Sequence, residues 1–305
     1  MKTFAWFLAL ILTGLAAIAV FTYPAWLLLH PHFAFPFHRI GERIGMLALA
    51  VGFMLAARRL GLADRASLGY GIARPAFLRE LSMALGLGVA GMTAGVGAMA
   101  ALGLLEWNPA ASWQPAALAK LIASTLASGL AVAFIEETFL RGAMHTGIER
   151  ESGSTAAVLL TAIVYSATHF FASFKIPADQ VSAGSGIALL AGTLHLFAQP
   201  LAIADAFLCL LAVGVVLGVI RAATGNIAAC IGLHAGWVWV ILTAHALTRP
   251  DAHARLSFLL SRFDGFVGWL VLAWTVLLGV GLRRFYASPS PPLSPGARGA
   301  SASSR

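Results

Sequence analysis

The stretch Phe134-Ile135-Glu136-Glu137-Thr138-Phe139-Leu140-Arg141 places two adjacent carboxylates and an arginine inside an otherwise apolar segment. Residues 121–135, which end inside this stretch, contain no charged side chain. An ionisable residue at bilayer depth costs several kcal/mol, so it faces a protein interior and has a partner or a function. On a helix Glu137 and Arg141 share one face, whereas Glu136 is turned about 100° away from Glu137. We therefore predict a structural ion pair between Glu137 and Arg141, and a Glu136 that is available for chemistry.

The composition is that of an integral membrane protein. Of the 305 residues, 59% are hydrophobic and 10% are charged, and the mean hydropathy is +0.85. A soluble domain carries about 25% charged residues. The 31 glycines are typical of closely packed transmembrane helices rather than of a β-barrel. The net charge of +8 lies mostly on loop arginines, which contact anionic lipid headgroups, so we expect a lipid bilayer and no nucleic acid as partner.

The hydropathy pattern predicts an all-α fold, a polytopic transmembrane bundle of about eight helices. A further apolar run at 187–198 is too short to span the bilayer. We expect residues 1–286 to form the transmembrane domain, and 287–305, rich in Ser, Pro, Gly and Ala, to be a disordered tail. The predicted helices are 4–29, 42–57, 79–104, 118–146, 155–172, 203–220, 226–246 and 265–282.

Loop charges predict the orientation of this bundle. With eight spans and both termini cytoplasmic, the inner segments are 58–76, the polar connection 147–154, the turn at Arg221 and the tail, where most arginines lie. The outer loop 247–264 is an exception, because it carries three arginines. The arginine- and alanine-rich chain is typical of bacteria, so the predicted location is the bacterial inner (plasma) membrane.

Three polar residues on different helices lie at similar predicted depths. At 1.5 Å per residue, Glu136, His169 and His234 are about 15, 21 and 12 Å from the inner ends of their helices. Independent polar residues have no reason to share one layer, so this agreement predicts a single site. His145 instead lies near a predicted membrane boundary, and we expect it to be interfacial.

One carboxylate and two imidazoles fit two kinds of hydrolytic chemistry. They can deprotonate a water and stabilise an oxyanion, or Glu136, His169 and His234 can bind a divalent metal such as zinc. The sequence contains no HExxH motif. Two other functions use the same residues, an ion or proton transporter with a Glu/His relay and an inactive scaffold that binds a peptide.

At these residues the chain resembles the CAAX prenyl protease and bacteriocin-processing (Abi, CPBP) family of intramembrane proteases. Its EExxxR motif is matched by Glu136, Glu137 and Arg141, and an aromatic residue four positions before a histidine is matched by Tyr165 and His169. The third motif, a histidine in a later helix, is matched by His234. The resemblance covers about 118–246, the predicted protease-like core.

The resemblance implies an intramembrane endopeptidase that acts on a membrane-associated peptide or protein. It implies Glu136 as general base on water, assisted by His169, and His234 as oxyanion donor. Glu137 and Arg141 then order the site, and the metal question stays open. One position departs from the family, because Val238 stands where Asn usually follows the third-motif histidine. If that Asn helps to hold an oxyanion, this chain must use His234 alone, a backbone N–H or an indole such as that of Trp239. Asn226 is no replacement, because it lies two turns before His234.

Overall fold

The computed structural model describes residues 1–171 and 174–287, and it confirms the all-α class. The 13-residue helix Ser185–Phe197 is too short to span, as predicted for this region. The π-helix Thr138–Met144 connects the helix Pro115–Glu137 directly to the helix His145–Thr168. The helices are α1 Lys2–Leu29, α2 Phe37–Arg59, α3 Arg74–Ala101, α4 Pro115–Glu137, α5 His145–Thr168, α6 Ser185–Phe197, α7 Pro200–Thr224, α8 Ala228–Leu247 and α9 Trp269–Ala287.

Seven helical segments in the described part of the chain are long and apolar enough to cross a membrane, and one of them, Pro115–Thr168, has 54 residues. A straight helix of that length would measure about 80 Å, far more than the hydrocarbon core of about 30 Å. Gly153 interrupts it with φ 82° and ψ 167°. Residues from both halves, Glu137 and Tyr165, contact the ring of His234. The chain therefore reverses at Gly153, and the segment is long enough for two crossings, which gives eight candidate crossings in the described residues.

Most predicted helix ends are shifted by a few residues, and two of these differences change the description of the chain. The connection 147–154, predicted as a polar loop, is helical except at Gly153. That prediction is wrong because Glu149-Arg150-Glu151 favours a helix as readily as a loop. A polar stretch indicates where the chain leaves the lipid, but it does not indicate whether the helix ends there. The last helix runs to Ala287 instead of ending at 282. The remainder of the predicted tail, 288–305, lies outside the described residues.

Helix α8 is the centre of the bundle. All ten residues from Ala228 to Trp237 are buried, as expected for a helix that is enclosed by protein. It packs against α3, α4 and α7. His234 lies in the middle of this enclosed half and is 2% exposed. The fold thus removes this imidazole from lipid on every side.

Glycines bring α3 and α8 into backbone contact. A Cβ on Gly88 would lie 2.7 Å from the carbonyl oxygen of Leu233, and one on Gly232 would lie 2.3 Å from that of Leu81. Such close approach is how membrane helices gain packing energy without a hydrophobic driving force between them. This contact fixes the rotation of α8, and with it the direction of His234.

A short sheet ties together the ends of α3 and α8. Strand β1, Leu105–Trp107, pairs antiparallel with β2, Thr248–Pro250. Glu106 and Arg249 form an ion pair of 2.7 Å across it, with both side chains about half exposed. Both segments were predicted as loops. Their pairing depends on contacts 143 residues apart in sequence, which local patterns do not report.

Candidate active site

Glu137 and Arg141 form the predicted ion pair. The Nη1 atom of Arg141 donates to Oε1 of Glu137 at 2.9 Å, and both side chains are fully buried. Its Nη2 donates to the carbonyl oxygen of Gly214 on α7 at 3.2 Å. The guanidinium also lies 4.8 Å from the centroid of the Tyr165 ring. Arg141 thereby neutralises Glu137 and connects it to α5 and α7.

The imidazole of His234 lies between the two adjacent glutamates. Its Nδ1 is 2.8 Å from Oε1 of Glu137, and its Nε2 is 4.0 Å from Oε2 of Glu136. A carboxylate oxygen accepts, so Nδ1–H donates to Glu137. This contact fixes the orientation of the ring and aims Nε2 at Glu136.

Glu136 differs from Glu137 in both exposure and pairing. Its side chain is 34% exposed, whereas that of Glu137 is fully buried. Among the described residues, no group hydrogen-bonds to the buried Oε2 of Glu136. No arginine or lysine forms an ion pair with it in this part of the chain either. Glu136 is therefore the carboxylate that can reach water, as its place on the helix predicts.

His169 is connected to His234 through the aromatic ring of Tyr165. Its Nδ1 lies 2.7 Å from the carbonyl oxygen of Tyr165, one helical turn earlier. The Tyr165 ring contacts the His169 ring at 4.4 Å and the His234 ring at 5.8 Å, in centroid distances. No hydrogen bond or ion pair joins His169 to Glu136 or His234 within the described ranges. Tyr165 thus links the two imidazoles, a role that the sequence analysis did not assign to it.

The described side chains do not fit a metal centre. In residues 1–171 and 174–287, no three His, Cys, Asp or Glu side chains are grouped so that they could hold an ion. Nδ1 of His234 is engaged with Glu137, and the Tyr165 ring contacts both the His169 ring and the His234 ring. These side chains are therefore not arranged as ligands of one ion.

The departure at Val238 is not compensated by Trp239. The indole Nε1–H of Trp239 donates to the carbonyl oxygen of Ile122 on α4 at 3.1 Å. Asn226 is also engaged elsewhere, because its Nδ2 donates to Glu80 and its Oδ1 accepts from the N–H of Ala228. Of the side chains considered from the sequence, His234 is the one aimed at Glu136.

Two basic residues occupy positions that sequence reasoning assigned to the surface. His145, predicted as interfacial, is fully buried, and in the described structure neither ring nitrogen has a hydrogen-bond partner. Arg221, predicted in an inner turn, is 6% exposed. A signal was present, because the cap of α7 is Gly225, at φ 69°, which leaves Arg221 inside the helix. The distribution of charges along the sequence, taken alone, placed Arg221 in the loop.

The fold and these contacts define a polytopic α-helical membrane protein with a buried Glu–His–Arg centre. Residues 118–240 match the family model described as Type II CAAX prenyl endopeptidase Rce1-like. This match covers 123 of the 305 residues, and the matched segment contains all three motifs. No curated protein and no solved structure matches the chain.

Proposed function

We propose that the chain is an intramembrane endopeptidase of the CAAX prenyl protease type, which hydrolyses a peptide bond of a membrane-associated substrate. The observation that carries this proposal is one buried imidazole between two unequal carboxylates. Glu137 is neutralised by Arg141, whereas Glu136 is partly exposed and, among the described residues, no group hydrogen-bonds to its Oε2. A site built only for stability has no need of the second carboxylate.

In the proposed reaction Glu136 takes a proton from a water, and the hydroxide attacks the peptide carbonyl carbon. The new C–O bond forms as the carbonyl π electrons move to oxygen. When both nitrogens of His234 are protonated, Nδ1–H donates to Glu137 and Nε2–H is left for this oxyanion. Glu136 then returns its proton to the leaving nitrogen as the C–N bond breaks, so protons and electrons balance.

The remaining predicted residues have supporting roles in this proposal. Glu137 and Arg141 hold His234 in the orientation that the oxyanion requires. His169 acts from beyond Tyr165, where Nδ1–H donation to the Tyr165 carbonyl leaves Nε2 free to accept from the attacking water or from the substrate. The proposed location is the bacterial inner membrane with both termini cytoplasmic, because the inner segments then carry most arginines.

Cleavage of a helical membrane reporter by the purified protein tests the proposal. We expect Glu136→Gln to lower kcat by at least about 100-fold, since general acid–base catalysis contributes 10²–10⁴-fold. His169→Ala is expected to lower it as well. Glu42→Gln, a carboxylate change in the exposed Arg39–Glu42 pair, is the matched control and is expected to leave kcat unchanged.

Four outcomes would each reject part of this scheme. Unchanged cleavage by the Glu136 variant would reject the assigned base. Reporter binding without cleavage by wild-type protein would favour the scaffold, and proton flux in vesicles that depends on Glu136 would favour the transporter. Stoichiometric zinc in active protein, with loss of cleavage on chelation, would replace the metal-free scheme.

A further inference from the structure

Arg221 is a buried cation that the proposed reaction does not use. It lies in the last turn of α7, Pro200–Thr224, and is 6% exposed. Burying an arginine in a membrane protein is costly unless its donors are paired. An arginine that served only to set the orientation of the protein in the membrane would remain exposed to water. The burial of Arg221 therefore needs a different explanation.

The guanidinium of Arg221 bonds to the segment that follows the glutamates. Its Nε–H donates to the carbonyl oxygen of Arg141 at 2.9 Å, and its Nη2 donates to the hydroxyl of Thr146 at 3.1 Å. Arg141 in turn donates to the carbonyl oxygen of Gly214 on α7. Each arginine therefore bonds to the backbone of the element that carries the other, and these bonds fasten the π-helix to α7.

The fastened segment has an unusual backbone. Thr138–Met144 is a seven-residue π-helix, whereas π-helices usually occur as single-turn bulges, often at functional sites. In a π-helix each hydrogen bond spans five residues instead of the four of an α-helix. Side chains that precede the π-helix are therefore rotated about the helix axis relative to side chains that follow it. The glutamates lie immediately before this segment, and Arg141 lies within it. A relaxation to α-helix would rotate Glu136 and Glu137 relative to Arg141.

We infer that Arg221 is a positioning residue, which acts through the carbonyl of Arg141 to hold the π-helix and thereby aim the two glutamates at His234. Its effect on the backbone is independent of any reaction, and its effect on turnover rests on the proposed endopeptidase function. Arg221 itself forms no hydrogen bond or ion pair with His234 or Glu136 in the described structure.

Arg221→Lys is the informative variant. Lysine keeps the charge but lacks the planar guanidinium, which donates to both the Arg141 carbonyl oxygen and the Thr146 hydroxyl. We expect kcat to fall by about 100-fold, as a displacement of about 1 Å can cause, with KM within about twofold of wild type. We also expect faster amide hydrogen exchange in peptides covering 138–146. Arg249→Lys, at the exposed Glu106 pair, is the matched control and should change neither quantity.

Thr146→Val provides a second, nearly isosteric test that leaves the bond to the Arg141 carbonyl in place. We expect a smaller change in exchange over 138–146 than in Arg221→Lys, and a smaller loss of kcat. This variant keeps the inference testable if the lysine variant does not fold.

Hydrogen exchange separates this inference from the proposed function, because it needs no substrate. Unchanged exchange over 138–146 in both variants would overturn the positioning role, whether or not the protein cleaves peptides. Faster exchange spread over the whole chain would also overturn it, since that pattern indicates a general packing role. Local loosening in a protein that never cleaves a reporter would uphold the positioning role and reject the endopeptidase.

Discussion

The buried Glu137–Arg141 pair makes a quantitative prediction for stability. Glu137→Gln keeps the shape of the side chain and an oxygen that can accept from Nδ1 of His234, but it leaves the guanidinium uncompensated. At the observed separation of 2.9 Å, Coulomb's law gives about 6 kcal/mol for an effective dielectric constant of about 20. Removing one partner of a buried pair costs about 3–5 kcal/mol. We expect Glu137→Gln to lower the free energy of unfolding by an amount in that range.

The chain contains a matched control for this prediction. Glu106 and Arg249 are closer, at 2.7 Å, but their side chains are 48% and 54% exposed. Exposed pairs contribute about 0–1 kcal/mol because water and salt screen them. Glu106→Gln should therefore cost less than about 1 kcal/mol, although the hydrogen-bonded distance is shorter. Reversible unfolding in mixed micelles, followed by tryptophan fluorescence, measures both variants.

A double variant separates charge from packing. In Glu137→Gln combined with Arg141→Met neither charge remains, and such apolar replacements of buried pairs are often neutral. We expect the double variant to recover more than half of the stability lost in the single one. Equal losses for Glu137→Gln and Glu106→Gln, or no recovery in the double variant, would refute the view that an uncompensated buried charge sets the cost.

Two further predictions concern backbone contact and the oxyanion. Gly142→Ala is expected to destabilise the protein by about 1–3 kcal/mol, because its Cβ would lie 2.6 Å from the carbonyl oxygen of Leu68. Gly97→Ala is the control, since its Cβ would have no neighbour within 4 Å in the described structure, and it should leave the free energy of unfolding unchanged. Val238→Asn supplies the amide that the family usually has, and reporter cleavage should rise at least about tenfold, since one such donor is worth 10²–10³ in rate. Unchanged kcat in this variant would show that position 238 does not face the oxyanion.

The helical class and the candidate pair were predictable because they depend on local chemistry. Residues that lipid tolerates are apolar over whole spans, so the exceptions Glu136, Glu137 and Arg141 are conspicuous in sequence. Their spacing predicts the ion pair, since a helix places every fourth residue on one face. His234 was found for the same reason, because it is a polar residue inside the apolar stretch 227–242.

The contacts of the His169 ring could not be predicted from the sequence. Depth counting places residues in a layer, but it does not give the direction of a side chain within that layer. The ring of Tyr165, which is itself part of the matched motif, lies between the two imidazoles. The order of these three rings depends on how α5 packs against α8 and α7, which no spacing along α5 contains.

The sequence by itself determined that this chain is a helical membrane protein. It also determined which carboxylate is paired with arginine and which motifs resemble those of a known family. Those properties follow from hydrophobicity and from the period of a helix, both of which act between near neighbours. The tertiary structure decided that Arg221 and His145 are buried, that a π-helix follows the glutamates, and that one imidazole lies between them. These features depend on contacts between residues tens of positions apart, because in lipid every polar group must find its partner within the protein.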